Sequence, residues 1–207
     1  MSIYLNKLLT DNDEINAELR SRSKKIIEQT IRHKDKEILC EKVEVELKDG
    51  WTVAKENKQS IRMAKDKPMS DQLEDELWTI LARMGFNEMS YVNDFKIHVG
   101  TNVNPRQIDV FVKDNETAIM VECTCCETPK KKNMSTLIEK IESFKGKMAT
   151  SIKSHYGANQ KLKLRWVIAT RNIEWGPADL EKAKAAKIWV LRDNEINYYR
   201  KLTTHLK

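Results

Sequence analysis

The stretch that decides the fold reads Gln107-Ile108-Asp109-Val110-Phe111-Val112, then Lys113-Asp114-Asn115-Glu116, then Thr117-Ala118-Ile119-Met120-Val121-Glu122-Cys123-Thr124-Cys125. Two apolar, β-branched runs flank a short polar segment, the pattern of two strands joined by a hairpin loop. Successive strand side chains point to opposite faces. Val121, Cys123 and Cys125 therefore share one face of the second strand, and Glu122 and Thr124 the other. On the first strand Gln107 and Asp109 point one way, and Ile108, Val110 and Val112 the other. Pairing through the 113–116 loop brings Asp109 and Glu122 together on one face.

Upstream, Ser70 has the chemistry of a helix N-cap, with Asp71 and Glu74 close behind it. Leu73, Leu77, Ile80, Leu81 and Met84 recur at helical spacing, Gly85 suits the C-terminal cap, and Phe86 follows. Glu74 lies on the same helix face as Leu77, Trp78 and Leu81. Residues 95–100 alternate like a strand and 102–105 read as a turn, so three strands form an expected antiparallel meander.

Downstream, Leu137, Ile141, Phe144, Met148 and Ile152 form the apolar stripe of a helix over 134–154, which Gly157 ends. Residues 162–170 read as a strand, Gly176-Pro177 opens a helix over 178–187, and 188–191 read as a last strand. From Glu195 on, Ile196, Tyr199, Leu202 and Leu206 again fall at helical spacing. The order from Ser70 predicts an α/β fold with a mixed central sheet flanked by helices.

Residues 1–69 read as a charged α+β extension, set off from a domain spanning 70–207. The first 48 or so residues are expected to be mainly helical, with a strand-like ending where Val43, Val45 and Leu47 alternate with Glu44, Glu46 and Lys48. Asp49-Gly50 is a turn, and Trp51-Thr52-Val53 suits a short strand. The basic run from Lys55 to Pro68 reads as a linker or exposed arm, either solvated or in contact with nucleic acid.

Composition narrows the classes. Of 207 residues 40% are hydrophobic and 33% charged, which excludes wholesale disorder; 6 Gly and 4 Pro exclude collagen-like sequence. No apolar run is long enough for a membrane span. The first residues reach Asp11, Asp13 and Glu14 without an apolar core, unlike a secretory signal, so a cytoplasmic location is expected. Cys40, Cys123, Cys125 and Cys126, with His33, His98, His155 and His205 scattered, lack zinc-finger spacing and read as reduced thiols. The 37 basic and 31 acidic residues give a net charge of +6, which favours polyanionic partners.

Glu74, Asp109 and Glu122 are the chemical candidates. Carboxylates that meet in a partly buried site repel one another and resist desolvation. A divalent cation relieves both, and oxygen donors suit Mg²⁺ or Mn²⁺. Such an ion can acidify and orient water and stabilise charge developing on a phosphoryl group. The ordinary readings stand beside this one: Glu74 as a first-turn acid favoured by the helix dipole, and Asp109 and Glu122 as ion-pair partners.

Ile108-Asp109, a 12-residue gap and Met120-Val121-Glu122-Cys123-Thr124 resemble the PD-(D/E)XK (restriction-endonuclease-like) nuclease signature. Leu73-Glu74 with Leu77, Leu81 and Met84-Gly85-Phe86 resembles the acidic first helix of the Mrr-like branch. Residues 166–170 and 188–191 resemble that fold's closing crossover, so the likeness covers roughly 70–195. It implies an αβββαβ core, Mg²⁺ or Mn²⁺ at Asp109 and Glu122 with Glu74 in support, and hydrolysis of DNA phosphodiester bonds in restriction, defence or repair.

The sequence departs from the signature at Thr124, where the family has a lysine. Lys130, Lys131, Lys132, Lys140, Lys145 and Lys147 follow closely enough to substitute, with Lys140 and Lys147 and the polar Gln107 as accessory candidates. Lys130, Lys131 and Lys132 also suit contact with a phosphate backbone. The alternative implied by Thr124 is a catalytically inactive nuclease-fold module that binds DNA or docks an assembly. RNA is a further possible substrate, and double-strand cleavage points to a homodimer. Asp49-Gly50-Trp51 through Lys67-Pro68 more weakly resembles the leading part of DGQHR-domain proteins, associated with DNA phosphorothioate and defence loci. Their defining string is expected beyond Lys207, in a further domain or subunit.

Overall fold

The computed structural model describes residues 3–99, 105–157 and 161–204. In chain order the elements begin β1 (Leu8–Leu9), α1 (Asn12–Arg22), β2 (Ile26–Arg32), α2 (Lys36–Lys48), β3 (Thr52–Asn57), β4 (Ser60–Asp66) and α3 (Met69–Arg83). They continue β5 (Glu88–Ser90), β6 (Lys96–Ile97), β7 (Arg106–Gln107), β8 (Val110–Lys113), β9 (Thr117–Lys131), α4 (Ser135–Tyr156), β10 (Lys163–Glu174), α5 (Pro177–Ala185), β11 (Ile188–Leu191) and α6 (Asp193–Thr204).

The larger unit comprises Met1–Ser23 and Met69–Lys207. Its six-stranded sheet runs β1-β5-β8-β9-β10-β11. The pairs β1–β5, β5–β8 and β8–β9 are antiparallel, whereas β9–β10 and β10–β11 are parallel. Parallel neighbours require crossovers, and α4 and α5 supply them. The result is an α/β fold with a mixed central sheet and an αβββαβ core, as the element order predicts.

Period-two alternation in the strands fills both faces. Phe111, Ala118, Met120, Trp166 and Ile168 face Ile138, Ile141, Phe144, Met148 and Ile152 of α4. Val110, Val112, Val121, Val167 and Ala169 face Leu73, Leu77, Trp78 and Leu81 of α3, with Ile15 of α1 and Ile196 of α6. Trp78 Nε1 donates to the Ser90 carbonyl at 2.7 Å, and Ser90 Oγ accepts from Phe111 N at 3.1 Å, which ties α3 to the antiparallel half of the sheet. In the β8–β9 hairpin the Asp114 side chain accepts from Glu116 N and Thr117 N, an Asx-type turn.

Several expectations are corrected. The meander is made by β5, β8 and β9; β6 and β7 instead pair with each other as a separate ribbon. The strand expected over 107–112 is broken, because Ile108 donates its N–H to Phe95 O and packs with Phe111 on the α4 side, while Val110 and Val112 face α3. The Asn102 part of the turn, Leu206 and His205 lie outside the described residues. Ser70 is not a cap: α3 already begins at Met69, and the Ser70 hydroxyl bonds to Asp71.

The division at residue 69 also moves, since residues 1–23 belong with the larger unit. β1 pairs with β5, Leu9 and Ile15 enter the core, and Arg22, buried to 7% exposure, adds a polar anchor. Its guanidinium pairs with Glu18 at 2.7 Å and Asp75 at 2.9 Å, donates to Asn93 Oδ1 and Tyr91 O, and lies 5.0 Å over the Trp78 ring.

The smaller unit is Lys24–Pro68. Its antiparallel sheet runs β2-β4-β3, and α2 contributes Leu39 and Val43 to a core with Ile31, Trp51, Ile61 and Met63. Thus 26–32 is a strand rather than a helix, 36–48 a helix to its end, and 52–66 a hairpin rather than a linker. Asp35 caps α2 by accepting from Glu37 N. Leu39 and Val43 are then one turn apart and buried, leaving Val45 and Leu47 in solvent, which overrides their strand-like alternation. Gly50, at φ +84°, makes the return into β3 that a side chain would strain. Among the described residues no helix is long and apolar enough to cross a membrane.

Removing one partner of a buried ion pair strands the other charge. Arg22→Ala is expected to cost about 3 kcal/mol or more in urea denaturation followed by Trp fluorescence. Lys24→Ala, at an exposed position, is expected to change stability by less than about 0.5 kcal/mol. Equal losses in the two variants would show that Arg22 does not anchor the segment.

Candidate active site

The site forms where the hairpin strands part. The last pair of the β8–β9 ladder is Val110↔Val121. One residue before β8, the Asp109 carboxylate takes up the ladder itself: its Oδ2 accepts the Cys123 backbone N–H at 2.7 Å. Asp109 is thereby held beside Glu122, whose N-terminal neighbour Val121 is locked in the ladder.

Glu122 opposes Ile168 of β10, is 7% exposed, and projects on the side covered by α4. Lys140 of α4 places its Nζ 3.9 Å from Glu122 Oε2. Glu122 Oε1 is buried without a hydrogen-bond partner. Glu74 approaches from α3, on the other side of the sheet, and its Oε2 is likewise buried and unpartnered.

These surroundings raise all three acids. Burial, then the charge of Asp109, lifts Glu122 from 4.5 to about 7, against the pull of Lys140. Burial, then Asp109, Asp71 and Asp75, lifts Glu74 to about 8, against Arg22. Asp109 is raised by burial and held back by the Cys123 N–H and Lys140. Asp109 is therefore the carboxylate that both glutamates feel.

The position after Glu122-Cys123 is also filled. Lys132 Nζ donates to Thr124 Oγ1 at 2.9 Å, so an ammonium reaches the place where the signature has its lysine. A bulge makes this possible. Cys125 opposes Arg171 but Lys130 opposes Ile173, so residues 126–129 leave the ladder opposite Asn172 alone. Asn172 takes a left-handed φ of 57° and donates its side-chain amide to Cys126 O and Glu127 O. Thr124 and Lys131, seven residues apart in sequence, thus face Thr170 and Glu174, four apart on β10. At about 3.3 Å per residue that is roughly 13 Å instead of 23 Å.

The other predicted residues are elsewhere. Lys130 and Lys131 are exposed ladder residues of β9 rather than a loop. Gln107 is exposed and bonds Asn93 O through its side chain. Lys147 is exposed on α4, and Lys145 donates to Ala186 O. The Lys132–Thr124 contact could not be read from the sequence; its one trace is Pro129, which cannot donate to a ladder and so marks the bulge.

Among the described residues no three acid, histidine or cysteine side chains form a ready metal-holding group. The pair Asp109 and Glu122 nonetheless fits a hard cation: both are oxygen donors, they repel each other, and one buried Glu122 oxygen lacks a partner. Mg²⁺ is commonly held by one or two carboxylates, its other positions going to water and substrate phosphate.

No protein-family model matches the chain, and no curated protein is significantly similar to it. Among solved structures it is similar to Can2 from Sulfobacillus thermosulfidooxidans, determined with cyclic tetra-adenylate, at 10% identity over 94% of this chain and 50% of that one, TM-score 0.43. It is also similar to protein VC1899 from Vibrio cholerae, at 11% identity over 95% of this chain and 53% of that one, TM-score 0.42. The chain spans about half the length of each.

A carboxyl whose folded pKa is raised binds its proton more tightly folded than unfolded. Its contribution favours folding at low pH and is lost as pH rises, for Glu122 from 4.5 through about 7. Without metal, Glu122→Gln is expected to stabilise the protein at pH 8, by at most about 3 kcal/mol, and much less at pH 5. Urea denaturation in EDTA at both pH values measures this. A gain independent of pH would contradict the assignment.

Proposed function

We propose that the chain is a Mg²⁺- or Mn²⁺-dependent endonuclease of the PD-(D/E)XK type that hydrolyses DNA phosphodiester bonds in restriction, defence or repair. The observation that carries the reading is the approach of two buried carboxylates, Asp109 and Glu122, with the Asp109 charge raising Glu122 and one Glu122 oxygen left without a hydrogen-bond partner. Asp109 and Glu122 would hold the ion, and Glu74, which feels Asp109, would support it or hold a second. When bound, the ion supplies an acidified water and a counter-charge for the phosphoryl oxygens.

The protein's own groups complete the chemistry. The Cys123 N–H fixes the direction of the Asp109 carboxylate. Lys140 sits beside Glu122, where its positive charge can meet an incoming phosphate. Lys132 occupies an acceptor site of the Thr124 hydroxyl, which leaves the hydroxyl proton free to donate to water or to a phosphate oxygen. Two lysines from outside the strand motif thus supply the charge that Thr124 lacks. Cutting both strands of a duplex would need two such sites, as in a homodimer.

Supercoiled plasmid with Mg²⁺ or Mn²⁺, against an EDTA control, tests this reading. Wild-type protein is expected to nick it, and Glu122→Gln and Asp109→Asn to lose nicking while still retaining DNA. Lys140→Ala is expected to slow nicking by about 10²-fold, the scale for removing one stabilising group. Loss of retention together with cleavage would count against the metal assignment. No cleavage by the wild type, with salt-sensitive retention, would leave a catalytically inactive DNA-binding module. Cleavage of RNA alone would change the substrate.

A further inference from the structure

The smaller unit has a sheet face that its own helix does not cover. α2 packs on the side of Ile31, Ile61 and Met63, so their strand neighbours point away from it. The register defines what that open side carries. Thr30 opposes Arg62, and Arg62 opposes Lys55. In the next row Arg32 opposes Ser60, and Ser60 opposes Asn57. The Asn57 amide donates to Ser60 Oγ at 3.3 Å, as residues on one face should.

These two rows hold three cations, two hydroxyls and an amide, and no carboxylate. Arg32, Lys55 and Arg62 are all exposed. The first carboxylate met along β2 is Glu28, 4.0 Å from Arg62 Nη1, in the following row. Neighbouring strands lie about 4.8 Å apart, so the ladder places these side chains next to one another on one face.

We propose that this open face, through Arg32, Lys55 and Arg62 with Thr30, Asn57 and Ser60, holds the phosphate backbone of a nucleic acid. Guanidinium groups bind phosphate bidentately, and hydroxyls and amides add hydrogen bonds that carry no base information. The absence of acid from both rows suits a polyanion, with Glu28 of the next row reaching only Arg62. The inference rests on the nucleic-acid reading of the larger unit but locates a separate surface, one needing no metal.

The test uses the whole chain in EDTA, so that cleavage plays no part. Fluorescence anisotropy of labelled duplex DNA, single-stranded DNA and RNA is read over a series of salt concentrations. The face variant is Arg32→Gln, Lys55→Gln and Arg62→Gln. The control, Lys42→Gln, Lys48→Gln and Lys153→Gln, removes the same charge from exposed helix positions. The face variant is expected to bind duplex about 10- to 100-fold more weakly at low salt, with a log–log salt slope shallower by about two to three. The control is expected to change the slope by less than one.

Arg32→Lys with Arg62→Lys should keep the slope, and far-UV circular dichroism should show both Gln variants folded. The arm with the steepest wild-type slope identifies the nucleic acid. An unchanged slope in the face variant, equal losses in face variant and control, or displacement by polyglutamate as readily as by nucleic acid would each overturn the proposal. Binding by this face without metal-dependent cleavage would sink the nuclease reading and leave this one standing; cleavage with an unchanged face variant would do the reverse.

Discussion

The structure of the site depends on one hydrogen bond, from the Cys123 backbone N–H to the Asp109 carboxylate. A strand that ends leaves its partner's N–H without an acceptor, and an unmet backbone group in a buried place is costly. Here a side chain replaces the missing carbonyl. The ladder is thereby closed, and a carboxylate is fixed beside Glu122 where two acids would otherwise avoid each other. Packing on both faces supports this: Val110 and Val121 against α3, Phe111 and Met120 against α4.

Such a cluster opposes folding. Glu74 and Glu122 are each pushed towards neutral pH by burial first and by Asp109 second. Lys140 offsets part of this for Glu122, and Arg22 part for Glu74. Arg22 has two roles in consequence. It tethers α1 to the larger unit through Asp75, and its charge reaches the acid cluster from the side of α3. Stability and the candidate chemistry meet in that one side chain. Groups held against their electrostatic preference are characteristic of functional sites, because the rest of the fold must hold them there.

Topology brings two lysines to this end of β9. The bulge at 126–129 shortens the path between Thr124 and the end of β9, and Lys132 closes back on the hydroxyl. From the opposite direction α4 delivers Lys140, two residues after its first buried residue, Ile138. The charges beside Glu122 and Thr124 thus come from a helix and a strand end. Their separation in sequence says nothing of their proximity, since nothing in residues 125–140 repeats at the period that would align them.

What the sequence by itself determined is α3, the β8–β9 hairpin and the α4-to-β11 crossover order, and the approach of Asp109 to Glu122, because apolar periodicity and a hairpin are local signals; β5 and the separate β6–β7 ribbon are not among its expectations. It also carried the α4 stripe, the closing crossover and the two-sided packing of β9. Elsewhere local signals competed and lost. Val43, Val45 and Leu47 alternate as in a strand, but the Asp35 cap and the burial of Leu39 with Val43 made a helix. The basic run after Lys55 holds few apolar residues, yet Ile61 and Met63 suffice to seat it as a strand under α2. Only the tertiary structure decided that residues 1–23 belong to the larger unit, that Gln107 turns away to Asn93, that Lys140 rather than Lys147 approaches Glu122, and that Lys132 reaches Thr124. Those outcomes depend on register, on a bulge and on a buried guanidinium, interactions between residues far apart in the chain whose partners no local pattern specifies.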